Sequence, residues 1–234
     1  MEKLNIYKKI LEAKKTLLAA LIDPDKFEEK VINKIINAAN NSQIDFIFVG
    51  GSLVQTDITT KILEIKKKTN VPVLIFPGSV LQVSNKADGI LLLSLISGRN
   101  PEYLIGNHVV AASFIKKSNI EVIPTGYIIV ESGNMTSVEY ISNTKPIPHN
   151  KYDIATSTAI AGELLGLKLI YLEAGSGAKN KINTKMISEV KKNINIPLIV
   201  GGGINNKSDF IEAQNAGADI VVIGTAFEKE IFKF

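Results

Sequence analysis

LIVGGGI (residues 198–204) and IVVIGTA (residues 220–226) each join a short apolar run to a glycine turn, one β/α repeat apart. FIFVGGS (residues 46–52) and LIYLEAGSGA (residues 169–178) have the same form. A glycine directly after a buried strand lets main-chain N–H groups approach an anion without side-chain obstruction. Three of the four turns crowd the last third of the chain. That spacing predicts a phosphate pocket at the strand C-termini of a parallel barrel.

Outward from these turns the pattern continues through the chain. Apolar runs at 17–22, 46–49, 73–76, 90–93, 122–128, 169–172, 198–200 and 220–223 lack polar alternation, as strands buried on both faces do. Helix-period stretches at 28–40, 57–68, 101–117, 154–165, 184–192 and 208–215 lie between them. Eight strands in continuous βα alternation predict one (β/α)8 barrel domain over residues 1–234. The connection at 77–89 is too short for a packed crossover helix, so the third helix is expected to be missing or reduced. Its loss would open an apolar flank of the barrel. The polar stretch 130–152 reads as a lid, an insertion or an interface. NVPVLIFPG (residues 70–78) is echoed by NIPLIVGGG (residues 195–203), as half-barrel duplication would produce.

Composition narrows the chemistry. The 234 residues are 45% hydrophobic, with no cysteine and two histidines. Thiolate sites and disulfides are excluded, and a metal would be a hard ion on oxygen ligands. The net charge of +4 comes from lysine-rich helix faces, without the aromatic-interleaved basic stripe of a nucleic-acid binder. No apolar run is long enough to span a bilayer, and the amphipathic N-terminus is too polar for a secretory signal. The expectation is a cytoplasmic protein with at most peripheral membrane contact.

Several residues can carry chemistry. In LIDPDK (residues 21–26) Pro24 stops the first strand, placing Asp23 at the barrel mouth. A carboxylate there suits Mg2+ shared with water and phosphate oxygens; otherwise Asp23 or Asp25 caps the next helix. Ser52 ends the second strand as a metal ligand, a diphosphate donor or an N-cap. Glu173 interrupts an apolar strand, and alternation puts it on the face of Tyr171. Inside the mouth it could accept a proton from an alcohol; outside it would form a surface pair. Gly202, Gly203, Gly224 and Thr225 form the phosphate site of such a barrel. Tyr127 either adds a hydroxyl to it or packs in the core. His108 and His149 read as structural. Arg99, the only arginine, contacts diphosphate or pairs with a carboxylate.

IDPDK at 22–26, VGGS at 49–52, FPGS at 76–79, PTGY at 124–127, YLEAGSGA at 171–178, VGGGI at 200–204 and ADIVVIGT at 218–225 together resemble the geranylgeranylglyceryl phosphate synthases and their heptaprenylglyceryl relatives. The resemblance implies a barrel without a regular third helix. It implies transfer of a polyprenyl group from its diphosphate to the 3-hydroxyl of sn-glycerol 1-phosphate by a homo-oligomeric, Mg2+-dependent prenyltransferase. By motif, Asp23 and Ser52 would hold Mg2+. Tyr171, Leu172, Glu173, Ala174, Gly175, Ser176 and Gly177, with Gly202, Gly203, Gly224 and Thr225, would hold glycerol phosphate. Glu173 would orient or deprotonate the hydroxyl, assisted by Tyr127. The shorter bacterial branch carries Lys where this chain has Leu21, which places it nearer the geranylgeranyl branch. A phosphosugar isomerase or aldolase-like barrel is the alternative, and no marked strand contains the buried lysine that a Schiff-base aldolase needs.

Overall fold

Short runs of β-branched and aliphatic residues, apolar on both faces, can be satisfied only between two hydrophobic layers, and eight of them close into a parallel barrel. The computed structural model describes residues 5–233; the first four residues of the amphipathic N-terminus and Phe234 lie outside the described residues. The strands are β1 (Leu17–Ile22), β2 (Phe46–Val49), β3 (Val73–Ile75), β4 (Gly89–Leu95), β5 (Glu121–Ile129), β6 (Leu169–Glu173), β7 (Leu198–Gly201) and β8 (Ile220–Ile223). Each pairs with its sequence neighbour, and β1 closes on β8 with Leu17 opposite Ile220 and Ala20 opposite Ile223. Strand alternation divides the core. Leu17, Ala19, Phe46, Phe48, Tyr171 and Val222 fill the interior, while Leu18, Ala20, Ile47, Leu172 and Val200 meet the helices outside.

The outer ring contains α2 (Glu29–Asn40), α3 (Ile58–Lys66), α4 (Asn107–Ser118), α6 (Tyr152–Leu164), α7 (Thr184–Asn193) and α8 (Lys207–Asn215), numbered after an N-terminal α1 (Ile6–Leu11). A π-helical turn at Glu102–Gly106 leads into α4. Among the described residues no helix lies between β3 and β4, as the short connection predicts. A tight turn replaces it. Gln82, buried beneath this turn, accepts from the Gly51 and Gly78 amides (3.2 Å each) and donates to the Gly51 carbonyl at 2.8 Å. The stretch 130–152 contains a short α5 (Ser137–Ser142), which the sequence did not reveal, and lies against the loop after β6. There Asn134 Oδ1 accepts from the Lys179 amide at 2.8 Å, and the Ser132 carbonyl accepts from the Asn180 amide at 2.9 Å. The last helix, α9 (Thr225–Glu228), follows β8 directly.

The floor of the barrel is stopped by α1. Ile6 and Ile10 join the interior cluster, and Glu121, first in β5, accepts from the amides of Ile6 (2.6 Å) and Tyr7 (2.8 Å). A carboxylate at a helix N-terminus satisfies otherwise orphaned donors and meets the positive end of the helix dipole. Glu121→Ala is expected to lower stability by about 1–3 kcal/mol in urea unfolding. Activity per folded molecule should not change, because Glu121 lies at the opposite end from the strand C-termini.

Candidate active site

The strand C-termini surround a cavity of about 450 Å³. Pro24 ends β1, leaving Asp23 at the rim and 9% exposed. Its Oδ1 accepts from the Asp25 amide at 3.1 Å, and its Oδ2 pairs with Lys26 Nζ at 2.8 Å. Asp23 therefore does not cap a helix. Asp25 does not either: it accepts from the Gln55 (2.6 Å) and Thr56 (2.9 Å) amides and ties the first two rim loops together. The N-cap of α3 is Asp57, so Ser52 is free of that role and faces the cavity. Gly51 has no side chain to separate Asp23 from the end of β2; a Cβ there would lie 3.0 Å from Asp23 Oδ2. One carboxylate and one hydroxyl, with an open side, suit Mg2+, which keeps several waters and completes its shell with substrate phosphate.

Glu173 ends β6 on the interior face, as alternation from Tyr171 predicts, and is 5% exposed. The surface-pair alternative is thereby excluded. Its Oε1 accepts from the Gly175 amide at 2.6 Å. Burial raises its pKa, against the opposing pull of that amide and of the Tyr171 and Tyr127 hydroxyls. Both tyrosine pKa values are pushed well up by burial and by the Glu173 charge. Tyr127 packs in the core, and its hydroxyl meets Glu173 rather than the glycine turns. Its ring packs edge-on against Tyr171 (centroids 5.3 Å apart) and Phe76 (5.9 Å), while its hydroxyl lies against Glu173. The buried Tyr171 hydroxyl has no hydrogen bond of ordinary geometry.

The glycine turns after β6, β7 and β8 form a cradle, and β8 is the neighbour of β1, which leads into Asp23. Gly202 (φ +81°) and Gly203 (φ +71°) follow β7, and Gly175 (φ +95°) and Gly177 (φ +72°) follow β6. A Cβ on Gly202 would meet both Glu173 Oε1 and the Gly175 nitrogen at 2.6 Å. Thr225 begins α9; its hydroxyl is 3.1 Å from Ser176 Oγ and accepts from the Gly177 amide at 3.3 Å. Gly175, Ser176, Gly177, Gly202, Gly203, Gly224 and Thr225 all line the cavity. Leu172 and Ala174, in the same motif, are buried behind it. One glycine turn differs from the expectation. After β2, Gly50 is required because a Cβ would stand 2.0 Å from the Phe76 carbonyl. The Gly51 amide already donates to Gln82, so this turn packs backbone on backbone and offers no anion cradle.

Beside the mouth, where the third helix is absent, lies a second and apolar cavity. Ile90, Leu92, Leu93, Ala111 and Ile115 line it, and Ser52, Phe76, Tyr127 and Val138 are shared with the mouth. It is a slot of about 90 Å³, not a closed chamber. His108 is one of its walls, with Nε2 3.3 Å from Ser94 Oγ and a pKa lowered by burial. The sequence held a signal for this: His108, Ala111 and Ile115 recur at the spacing of one helix face. His149 pairs with Glu131 on the surface. Arg99 donates to the Gly98 carbonyl and lines neither cavity.

A family model described as the PcrB family matches residues 8–233. A protein of Flavobacterium johnsoniae named geranylgeranylglyceryl phosphate synthase is 53% identical over 96% of this chain and 94% of its own length. A protein of the same name from Korarchaeum cryptofilum is 39% identical over 97% and 93%. Among solved structures, (S)-3-O-geranylgeranylglyceryl phosphate synthase from Thermoplasma acidophilum, in complex with its substrate sn-glycerol-1-phosphate, superposes with a TM-score of 0.90 at 34% identity, covering 97% of this chain and 92% of that one.

Proposed function

The chain belongs to the PcrB family, and we infer that it is a prenyltransferase that joins the 3-hydroxyl of sn-glycerol 1-phosphate to C1 of a polyprenyl diphosphate, geranylgeranyl diphosphate first among them. The observation that carries this reading is the junction of two cavities of opposite character. A polar mouth with a glycine cradle and a buried carboxylate opens at Ser52, Phe76, Tyr127 and Val138 into an apolar slot. A lipid diphosphate and a small phosphorylated alcohol need such a meeting point.

In this reading the cradle of Gly175, Ser176, Gly177, Gly202, Gly203, Gly224 and Thr225 holds the glycerol phosphate by its phosphate. The acceptor hydroxyl then lies beside Glu173. Asp23 and Ser52 would hold Mg2+, which supplies positive charge to the leaving diphosphate. The C1–O bond of the donor breaks and its electron pair leaves with the diphosphate. The glycerol oxygen forms the new bond to C1, and its proton passes to Glu173. The raised pKa of Glu173 makes it a better base than an exposed carboxylate. Phe76, Tyr127 and Tyr171 give the reacting carbon aromatic walls that exclude water. The tail lies in the slot with its far part along the open flank, gaining roughly 0.8 kcal/mol per methylene buried.

No helix of the described residues is long and apolar enough to cross a membrane, which fits a cytoplasmic enzyme taking its donor by peripheral contact. Exposed Val109, Val110 and Phe114 on α4 favour a homo-oligomer. The isomerase or aldolase alternative is disfavoured by the relatives and by the absence of lysine from all eight strands.

The test is incubation with radiolabelled geranylgeranyl diphosphate, sn-glycerol 1-phosphate and Mg2+. The expected result is a labelled ether phosphate, abolished by EDTA and restored by Mg2+. Failure to form ether with donors from farnesyl to heptaprenyl diphosphate would refute the reading.

A further inference from the structure

Lys26 is the cation of the first-strand motif, and the reaction above leaves it unused. Its side chain is 45% exposed, lines the mouth and has Nζ 2.8 Å from Asp23 Oδ2. Only one other cation, Lys229, lines the mouth among the described residues, and it stands beyond Thr225 at the end of α9, on the cradle side. Asp23, Glu173 and Glu228 also line the mouth. The lining therefore holds two positive and three acidic side chains, yet it must receive two phosphorylated molecules. The diphosphate joins the donor's tail to the mouth, so it belongs where the cavities share walls, at Ser52, Phe76, Tyr127 and Val138. Ser52 is the one of these on the β2 side, next to Asp23 across Gly51. Asp23 and Lys26 stand at that end.

The same carboxylate oxygen cannot fully serve both an ammonium and a divalent ion. A metal on Asp23 weakens the hold on Lys26, whose long flexible stem carries a compact charge with three donors. We propose that Lys26 is a second counter-charge for the leaving diphosphate: it rests on Asp23 while the mouth is empty and passes to the diphosphate when metal and donor occupy the site. Lys26 stabilises the charge that grows on the diphosphate as the C1–O electron pair departs. This inference rests on the prenyltransferase reading for its donor.

The test compares wild type with Lys26→Met and Lys26→Arg, after thermal unfolding has verified that each folds. Three quantities are measured: Mn2+ affinity without substrate, inorganic pyrophosphate affinity in the presence of Mg2+, and the KM of each substrate. In Lys26→Met, Mn2+ alone should bind several-fold tighter, since Asp23 loses its competing cation. Pyrophosphate should bind about tenfold weaker, the scale of one charge-assisted hydrogen bond. The KM for the prenyl donor should rise with it, the KM for glycerol phosphate should hold, and Lys26→Arg should restore pyrophosphate binding. Unchanged pyrophosphate affinity in Lys26→Met, or weaker Mn2+ binding without substrate, would overturn the proposal and leave Lys26 as a structural tether of Asp23. The two titrations need no turnover, so they decide the role of Lys26 even if the wild type proves to make no ether.

Discussion

Glu173→Gln should fold normally and lose about 10²–10⁴-fold in kcat, the range for a positioned general base. Its affinity for glycerol phosphate should change little, because the cradle amides are untouched. The amide side chain keeps the volume and can still accept from Gly175 through its oxygen, but it cannot take a proton. In the wild type, activity should rise with pH through the pKa of Glu173, which burial raises above the ordinary glutamate range. The acid limb of kcat/KM for glycerol phosphate should follow it and be absent from the residual activity of Glu173→Gln. The same shift has a stability consequence. The folded state holds the Glu173 proton more tightly than the unfolded chain does. Stability is therefore lost as pH rises from the unfolded pKa through the raised folded one, and it stays lost above that window. Glu173→Gln should melt at a temperature equal to or above the wild type at neutral pH. A lower melting temperature together with near-normal kcat would remove Glu173 from the chemistry.

The second large effect is expected at Gly202. Its φ of +81° strains any other residue, and a Cβ would press on Glu173 Oε1 and the Gly175 nitrogen, both 2.6 Å away. Gly202→Ala should weaken sn-glycerol 1-phosphate binding by about 100-fold, comparable to the loss of two or three net hydrogen bonds. It should also reduce kcat, because the displaced atoms belong to the proposed base and its anchor. Gly166→Ala is the control. Gly166 has nearly the same φ, +85°, but nothing within 4 Å of its would-be Cβ. It carries the backbone strain without the crowding. Calorimetric titration with sn-glycerol 1-phosphate should separate the two variants; equal binding losses would mean that strain alone, not the contact with Glu173, explains the effect.

The fold was legible where one local signal sufficed. All eight strands lie where doubly apolar runs placed them, because a parallel barrel buries both faces and leaves no alternation to confuse the reading. The absent third helix was readable from chain length alone, since residues 77–89 cannot cross over and pack. Short helices escaped: α5 has about one turn and a half of weak pattern, and the segment after β4 holds it, with Asn100 and Tyr103 donating to its Ser142 and Ile141 carbonyls. At the site, Glu173 and Asp23 were visible because a carboxylate at the end of an apolar strand needs an explanation other than packing. The glycine turns looked alike in sequence but differ in space. Gly202 faces the cavity, while Gly50 is there to let a neighbouring carbonyl pass. Only a partner from another strand, Phe76, separates the two cases. Gln82, which takes the Gly51 amide, depends on the same kind of distant packing.

The gap between β3 and β4 gives the molecule two solvents under one roof. In the proposed reaction the phosphate groups occupy the polar mouth, and the hydrocarbon lies in the apolar seam beside it. With the tail in a flank seam, as proposed, the acceptor's doorway does not have to admit a lipid. Tail length can then drift over evolutionary time through substitutions along β4 and α4, leaving the acid–base apparatus unaltered.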